Sequence, residues 1–214
     1  MKSITTTLLL VSSFFVSAQR YVDTHDPKKE EVKSLLGKGN DLNGFGGLDI
    51  KVSEFIDQRG MVTGAYGGVL INRKYILGVA GYGITTSVEF EGTVGQDVKP
   101  LNLYGGYAGL LVGGMIGSKE VIHLTFPVFF GAGSIQVSDK DFFPNSPNEA
   151  EFVIENSAFM VIEPAAQLEF NITAYFRFAA GMSYRYVTGI DLENLKDSDL
   201  SGSSIMISFR FGRY

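Results

Sequence analysis

From residue 44 onward the chain alternates between apolar and polar residues. In Leu48-Asp49-Ile50-Lys51-Val52-Ser53 the two kinds swap at every step, the period of a strand with one greasy and one wet face. Ile122, Leu124, Phe126, Val128 and Phe130 share a face in the same way. So do Ile205, Ile207, Phe209 and Phe211, with Ser204, Ser208 and Arg210 opposite. The pattern predicts a first strand after Gly44, then strands over Met61 to Ile71, Tyr75 to Phe90, Leu101 to Ile116 and Val121 to Ser138. Three more follow over Ala158 to Phe170, Thr173 to Thr188 and Ser203 to Phe211. Connections after the second, fourth and sixth strands are short, whereas 91–100, 139–157 and 189–202 read as long loops. The first turn on the long-loop rim, Asp57-Gln58-Arg59-Gly60, is short. An even number of strands with one tight rim and one extended rim predicts an all-β fold, an eight-stranded antiparallel up-and-down transmembrane β-barrel over 44–214.

The N-terminus is of another kind. Lys2, the apolar run Leu8–Val11 with Phe14-Phe15-Val16, and Val16-Ser17-Ala18 before Gln19 have the order of a secretory signal peptide over 1–18, cleaved after Ala18. Residues 19–43 form a polar leader on the periplasmic side. Asp26-Pro27 and Gly37 can bracket a short helix there, with Asp26 as N-cap and Gly37 as terminator, and the alternative by composition is a solvated linker. Export together with the barrel pattern implies an outer-membrane location for the mature chain.

Composition narrows the picture further. Hydrophobic residues make up 45% of the chain, yet no run approaches the roughly 20 apolar residues a spanning helix requires. Alternation dilutes apolar content in this way when every second side chain faces lipid. The absence of cysteine excludes disulfides, thiolate metal sites and a lipid-modified N-terminal cysteine. A net charge of −5, one unit more negative without Lys2, argues against a nucleic-acid partner.

If the apolar faces meet lipid, the opposite faces fill the bore. Turning Phe176, Phe178, Met182 and Tyr184 outward sends Arg177 and Arg185 inward. Turning Met160, Ile162 and Leu168 outward sends Glu163, Gln167 and Glu169 inward. The two choices agree only if an odd number of residues joins these strands near Asn171. Glu163, Glu169, Arg177, Arg185 and Arg210, with Lys51 and Asp49, therefore form an expected interior charge cluster. It acts as a plug, with Glu163 coupled to Arg177. Gly105, Gly109, Gly113 and Gly117, four apart, share one strand face and make room inside for bulkier side chains.

Chemistry-bearing candidates are few. His123 faces inward with no evident serine–carboxylate partner, which leaves the catalytic set empty. Asp197, Asp199 and Ser201 stand at the alternate positions that open a calcium loop, but position twelve is Ser208 where a bidentate Glu is needed. They are weak metal candidates. No cofactor is expected. A soluble lipocalin-like barrel would require the opposite facing, and the chain lacks the Trp of that family's first strand.

The strand layout after Gly44 resembles the small eight-stranded outer-membrane barrels of the OmpA/OmpX type. The ending Ile205-Met206-Ile207-Ser208-Phe209-Arg210-Phe211-Gly212-Arg213-Tyr214 is similar to their C-terminal assembly signal. Tyr214 is one residue out of phase with Phe211, so either Phe211 closes the strand or a bulge intervenes. The glycine- and tyrosine-rich style also resembles outer-membrane barrels of the Bacteroidetes. The resemblance implies a porin-like fold in contact with outer-membrane lipid and lipopolysaccharide. The expected role is structural or interactive, through long acidic extracellular loops and an envelope protein partner. The alternatives are a narrow channel for small solutes and a lipid-modifying enzyme.

Overall fold

The computed structural model describes residues 40–56, 58–94, 96–138 and 153–214. The expected signal peptide, most of the leader with its short helix, and the loop over 139–152 lie outside the described residues.

Among the described residues nine strands form one antiparallel sheet. They are β1 Leu42–Phe55, β2 Gln58–Ile71, β3 Tyr75–Ile84, β4 Val88–Val94, β5 Asp97–Ile116, β6 Ile122–Ser138, β7 Val153–Asn171, β8 Phe176–Thr188 and β9 Gly202–Gly212, with one helical turn, α1 Asp197–Leu200, before β9. Consecutive strands pair except β3 and β4, and β1 pairs with β9 from Phe45↔Gly212 to Ser53↔Ser204. β3 pairs with the lower part of β5, and this closes a ring of eight strands. A closed ring leaves no backbone edge for lipid to meet.

The third expected strand, Tyr75 to Phe90, is in fact two strands. Pairing with β2 ends at Ile84, where the Thr86 hydroxyl accepts the Met61 N–H (2.8 Å) in place of a backbone carbonyl. The chain then resumes as β4, which pairs only with β5. Residues 91–100, expected as a loop, belong mainly to this hairpin, since Val94 sits opposite Asp97 with only Gly95-Gln96 between them. Alternation in Val88-Glu89-Phe90-Glu91, with Val88 and Phe90 buried, carries β4 on to Val94. β7 begins five residues before the expected Ala158.

Facing follows parity. Ile205 is 71% exposed and Met182 66%, whereas Glu169 is fully buried. Phe126 is exposed and Val128 half-exposed, whereas Thr125 and Pro127, which alternate with them, are buried. Asn171 stands opposite Arg177, so five residues (172–176) separate the pair and both inward sets share one interior. Gly105, Gly109 and Gly113 alternate with the buried Tyr107, Leu111 and Met115 on the inner face of β5. A Cβ on Gly109 would stand 2.1 Å from the Phe130 carbonyl oxygen, so glycine here permits close approach of β6 as well as room for rings. Gly117, at φ +77°, ends the strand in a turn.

The interior has two levels. Toward the rim where β1 begins and β9 ends, charged and hydroxyl side chains from β1, β6, β7, β8 and β9 face Leu70, Ile76, Leu111 and Met115 on the opposite wall. Toward the other rim the filling is mostly apolar, with Phe55, Val62, Phe90, Leu101, Leu103 and Val137 among its members. Leu195 and Leu200, from the segment around α1, join that upper core.

Candidate functional site

The charged residues form two centres, each built on a glutamate. Glu169 of β7 accepts hydrogen bonds from Arg177 Nη1 (3.1 Å), Arg210 Nη1 (2.9 Å) and the Thr125 hydroxyl (3.0 Å). His123 lies directly across the β6–β7 ladder, its Nε2 3.5 Å from Glu169 Oε1. Glu163, six residues earlier on the same face, accepts from Lys51 Nζ (2.8 Å), Tyr107 Oη (2.9 Å) and Ser183 Oγ (2.6 Å). Alternation alone puts both glutamates inside, because residues an even number apart share a strand face.

Asp49 links the two centres. Tyr82 Oη donates to it (2.7 Å), and so does Ser208, which also accepts from Gln167 Nε2 (3.2 Å). Lys51 Nζ sits 3.6 Å above the Tyr82 ring, so its charge meets a carboxylate on one side and a π-face on the other. Between the centres a cavity of about 20 Å³ remains, bordered by Asp49, Lys51, Tyr66, Phe129, Glu163 and Gln167. That space holds one water at most. The plug therefore fills this level of the bore with side chains.

The expected coupling of Glu163 to Arg177 is corrected by these contacts. The partner of Glu163 is Lys51, and the partner of Arg177 is Glu169. Facing was legible from parity, but partner choice depends on which strand lies across the bore, and parity does not encode that. The tyrosines were missed for a similar reason. Their one available signal was that Tyr66, Tyr82 and Tyr107 fall on inward positions, where a phenol requires an acceptor.

Arg185 belongs to neither centre. It donates to the Leu200 carbonyl (2.7 Å), the Ser53 hydroxyl (2.9 Å) and the Glu54 carbonyl (3.1 Å), and its guanidinium lies 4.2 Å from the Phe55 ring. It thus pins α1 over the upper end of the bore. Asp197, Asp199 and Ser201 serve the same cap: Asp197 Oδ1 accepts the Ile190 N–H, Asp199 Oδ2 accepts the Lys196 N–H, and Ser201 Oγ donates to the Asp197 carbonyl. Each of the three thereby engages one side-chain oxygen within the cap. Among the described residues no cluster of metal-ligating side chains forms. Asn194 ties the cap to the β4–β5 hairpin through the Thr93 N–H (2.8 Å) and carbonyl (3.1 Å), and to β7 through Glu155 (3.1 Å).

At the opposite rim β9 ends at Gly212 without a bulge, and Phe211 is its outward aromatic. The Tyr214 ring turns back and lies 3.6 Å from the Arg177 guanidinium.

A closed eight-stranded ring, apolar outside and charged within, is the construction of a membrane-spanning β-barrel, because only lipid tolerates so continuous an apolar exterior. Among the described residues no helix is long and apolar enough to cross a membrane, and the spanning elements are strands. No protein family profile and no curated protein matches the chain. Among solved structures it is similar to small outer-membrane barrels from several bacteria. One is Neisserial surface protein A, at 10% identity and TM-score 0.49, covering 81% of this chain and 99% of that one. Another is Ail of Yersinia pestis, at 16% identity and TM-score 0.40, covering 82% and 100%. A third is the N-terminal β-barrel domain of Pseudomonas aeruginosa OprF, at 12% identity and TM-score 0.44, covering 78% and 96%.

Proposed function

We propose that the chain is an integral outer-membrane protein with a structural or interaction role. In this reading it is exported by residues 1–18, mature from Gln19, and non-enzymatic. The observation that carries the proposal is the combination of an apolar exterior with a bore closed at two levels. Charged groups inside are paired and capped rather than lining a path, so the barrel is an anchor that displays its long-loop rim. That rim faces outward, carries the β4–β5 hairpin with Glu89, Glu91 and Asp97, and the α1 segment with Asp191, Glu193, Asp197 and Asp199. Outer-membrane lipid and lipopolysaccharide surround the barrel, and the acidic rim meets an envelope protein partner. His123 is enclosed beside Glu169 and the two arginines, away from lipid, which supports a structural role for it.

Arginine substitution along β6 tests the membrane assignment. Arginine at Phe126 or Val128 will weaken folding into lipid vesicles by roughly 2–4 kcal/mol near the midplane, read by the heat-dependent shift on a denaturing gel. Serine at Thr125, inside the packed bore, keeps the hydroxyl that Glu169 accepts and will cost less. Greatest damage at Thr125, or equal tolerance at all three positions, would sink the proposal.

A further inference from the structure

A groove of about 590 Å³ indents the outer wall just below the long-loop rim, across β7, β8, β9 and β1. Its cause is local. The β7–β8 ladder runs from Met160↔Thr188 to Ile162↔Tyr186, then resumes only at Ala165↔Ser183. Pro164 sits in that gap, unable to donate to a ladder, and Ala165 and Ala166 add little side chain. The wall is thin here.

The residues bordering the groove fall into two outward rows. The lower row is apolar: Ala166 pairs with Met182, Met182 with Ile205, and Ile205 with Val52. The upper row is polar. Tyr184 pairs with Ser203, the Ser203 hydroxyl donates to Glu54 Oε2 (2.7 Å), and Glu54 pairs across the turn with Arg59. Arg59 is exposed and has no ion pair among the described residues. Hydrocarbon is the medium around the lower row. The upper row adjoins the β1–β2 turn at the rim, at headgroup level.

We infer that this groove is a lipid-binding site, in which one acyl chain lies over Ala166 between Met182 and Ile205 and the lipid's phosphate is held by Arg59. The inference rests on the membrane reading above. A guanidinium with no ion pair among the described residues, at the mouth of an apolar groove, matches a phosphate joined to a chain, because its fork of donors suits phosphate oxygens. Glu54 is engaged by Ser203, so its carboxylate is directed along the wall.

The test uses the full mature chain, folded in detergent, with native mass spectrometry to count retained lipid. The probes are a phosphatidic acid and a diacylglycerol with the same two chains. Retention of the phosphatidic acid should exceed that of the diacylglycerol by roughly tenfold. Arg59→Gln should abolish the difference, and Arg59→Lys should keep most of it. Ala166→Phe, which fills the groove, should lower retention of both. Each variant is scored first for the heat-dependent gel shift, so that a misfolded one is recognised; Ser203→Leu, narrowing the same groove from β9, replaces Ala166→Phe if that variant fails to fold. Equal retention of both probes, or no response to Arg59→Gln, overturns the groove assignment and leaves the barrel standing. An unaltered protein that never acquires the shift overturns both readings.

Discussion

At the scale of single residues, Glu169 has the most at stake, because two arginines, a histidine and a threonine converge on it. Glu169→Ala will leave Arg177 and Arg210 buried without their counter-charge, and the expected loss is roughly 3–5 kcal/mol in urea unfolding from vesicles. Lys51→Met with Glu163→Gln will recover part of the sum of the single losses, whereas Glu163→Gln with Arg177→Met will add nearly independently. Reversal of those two outcomes would mean that the bore is assembled in another register. Glycines offer a second comparison. Gly109→Ala forces a Cβ against the β6 backbone and will destabilise by roughly 1–3 kcal/mol, while at Gly81 the nearest atom is the Ala108 Cβ at 3.9 Å and alanine will be tolerated. Much of this level was legible from the chain. The parity of Leu48 to Ser53 fixes which side of β1 is wet, and the same count turns Glu163, Glu169, Arg177, Arg185 and Arg210 inward. What parity cannot supply is the neighbour across a bore, which depends on strand tilt and closure. Hence Lys51, not Arg177, came to face Glu163.

At the scale of elements, the strands best foreseen are those whose two faces meet different media, such as β6 and β9. Only the tip of the β4–β5 hairpin, 91–100, reads as a loop, and Gly92, Gly95 and Pro100 within it are breakers when nothing covers them. It holds as a hairpin because Val88, Phe90, Leu101 and Leu103 are buried in the upper core and Asn194 grips Thr93. Asn194→Ala removes all three of the bonds made by that side chain. The hairpin amides around Thr93 will then exchange faster with deuterium, while those of β7 near Glu169 keep their protection. Equal acceleration in both regions would show that the cap and the barrel open as one unit. Ile56, in the β1–β2 turn, is held at φ +47°, an unfavourable backbone for a β-branched residue, and its N–H donates to the Asp199 carbonyl (2.9 Å). Sequence gave no hint of that contact, because the two residues are far apart in the chain and meet only once the cap has settled.

At the scale of the whole molecule, a plugged bore beneath a capped mouth has an electrical signature. Purified protein in a planar bilayer will show no steady conductance, and discrete, salt-dependent openings would instead support the narrow-channel alternative. The ring also fixes an order of events. β1 and β2 are neighbours in sequence, but the other flank of β1 needs β9, and Asp49 meets Ser208 across 159 positions of sequence. Until β1 and β9 pair, the open sheet carries two rows of unpaired amides and carbonyls that hydrocarbon cannot satisfy. Such a chain is committed to its membrane only by its last eleven-residue strand. The seam between β1 and β9 is thus a timing device: every intermediate before it requires an escort for its open flanks, and every molecule after it requires none.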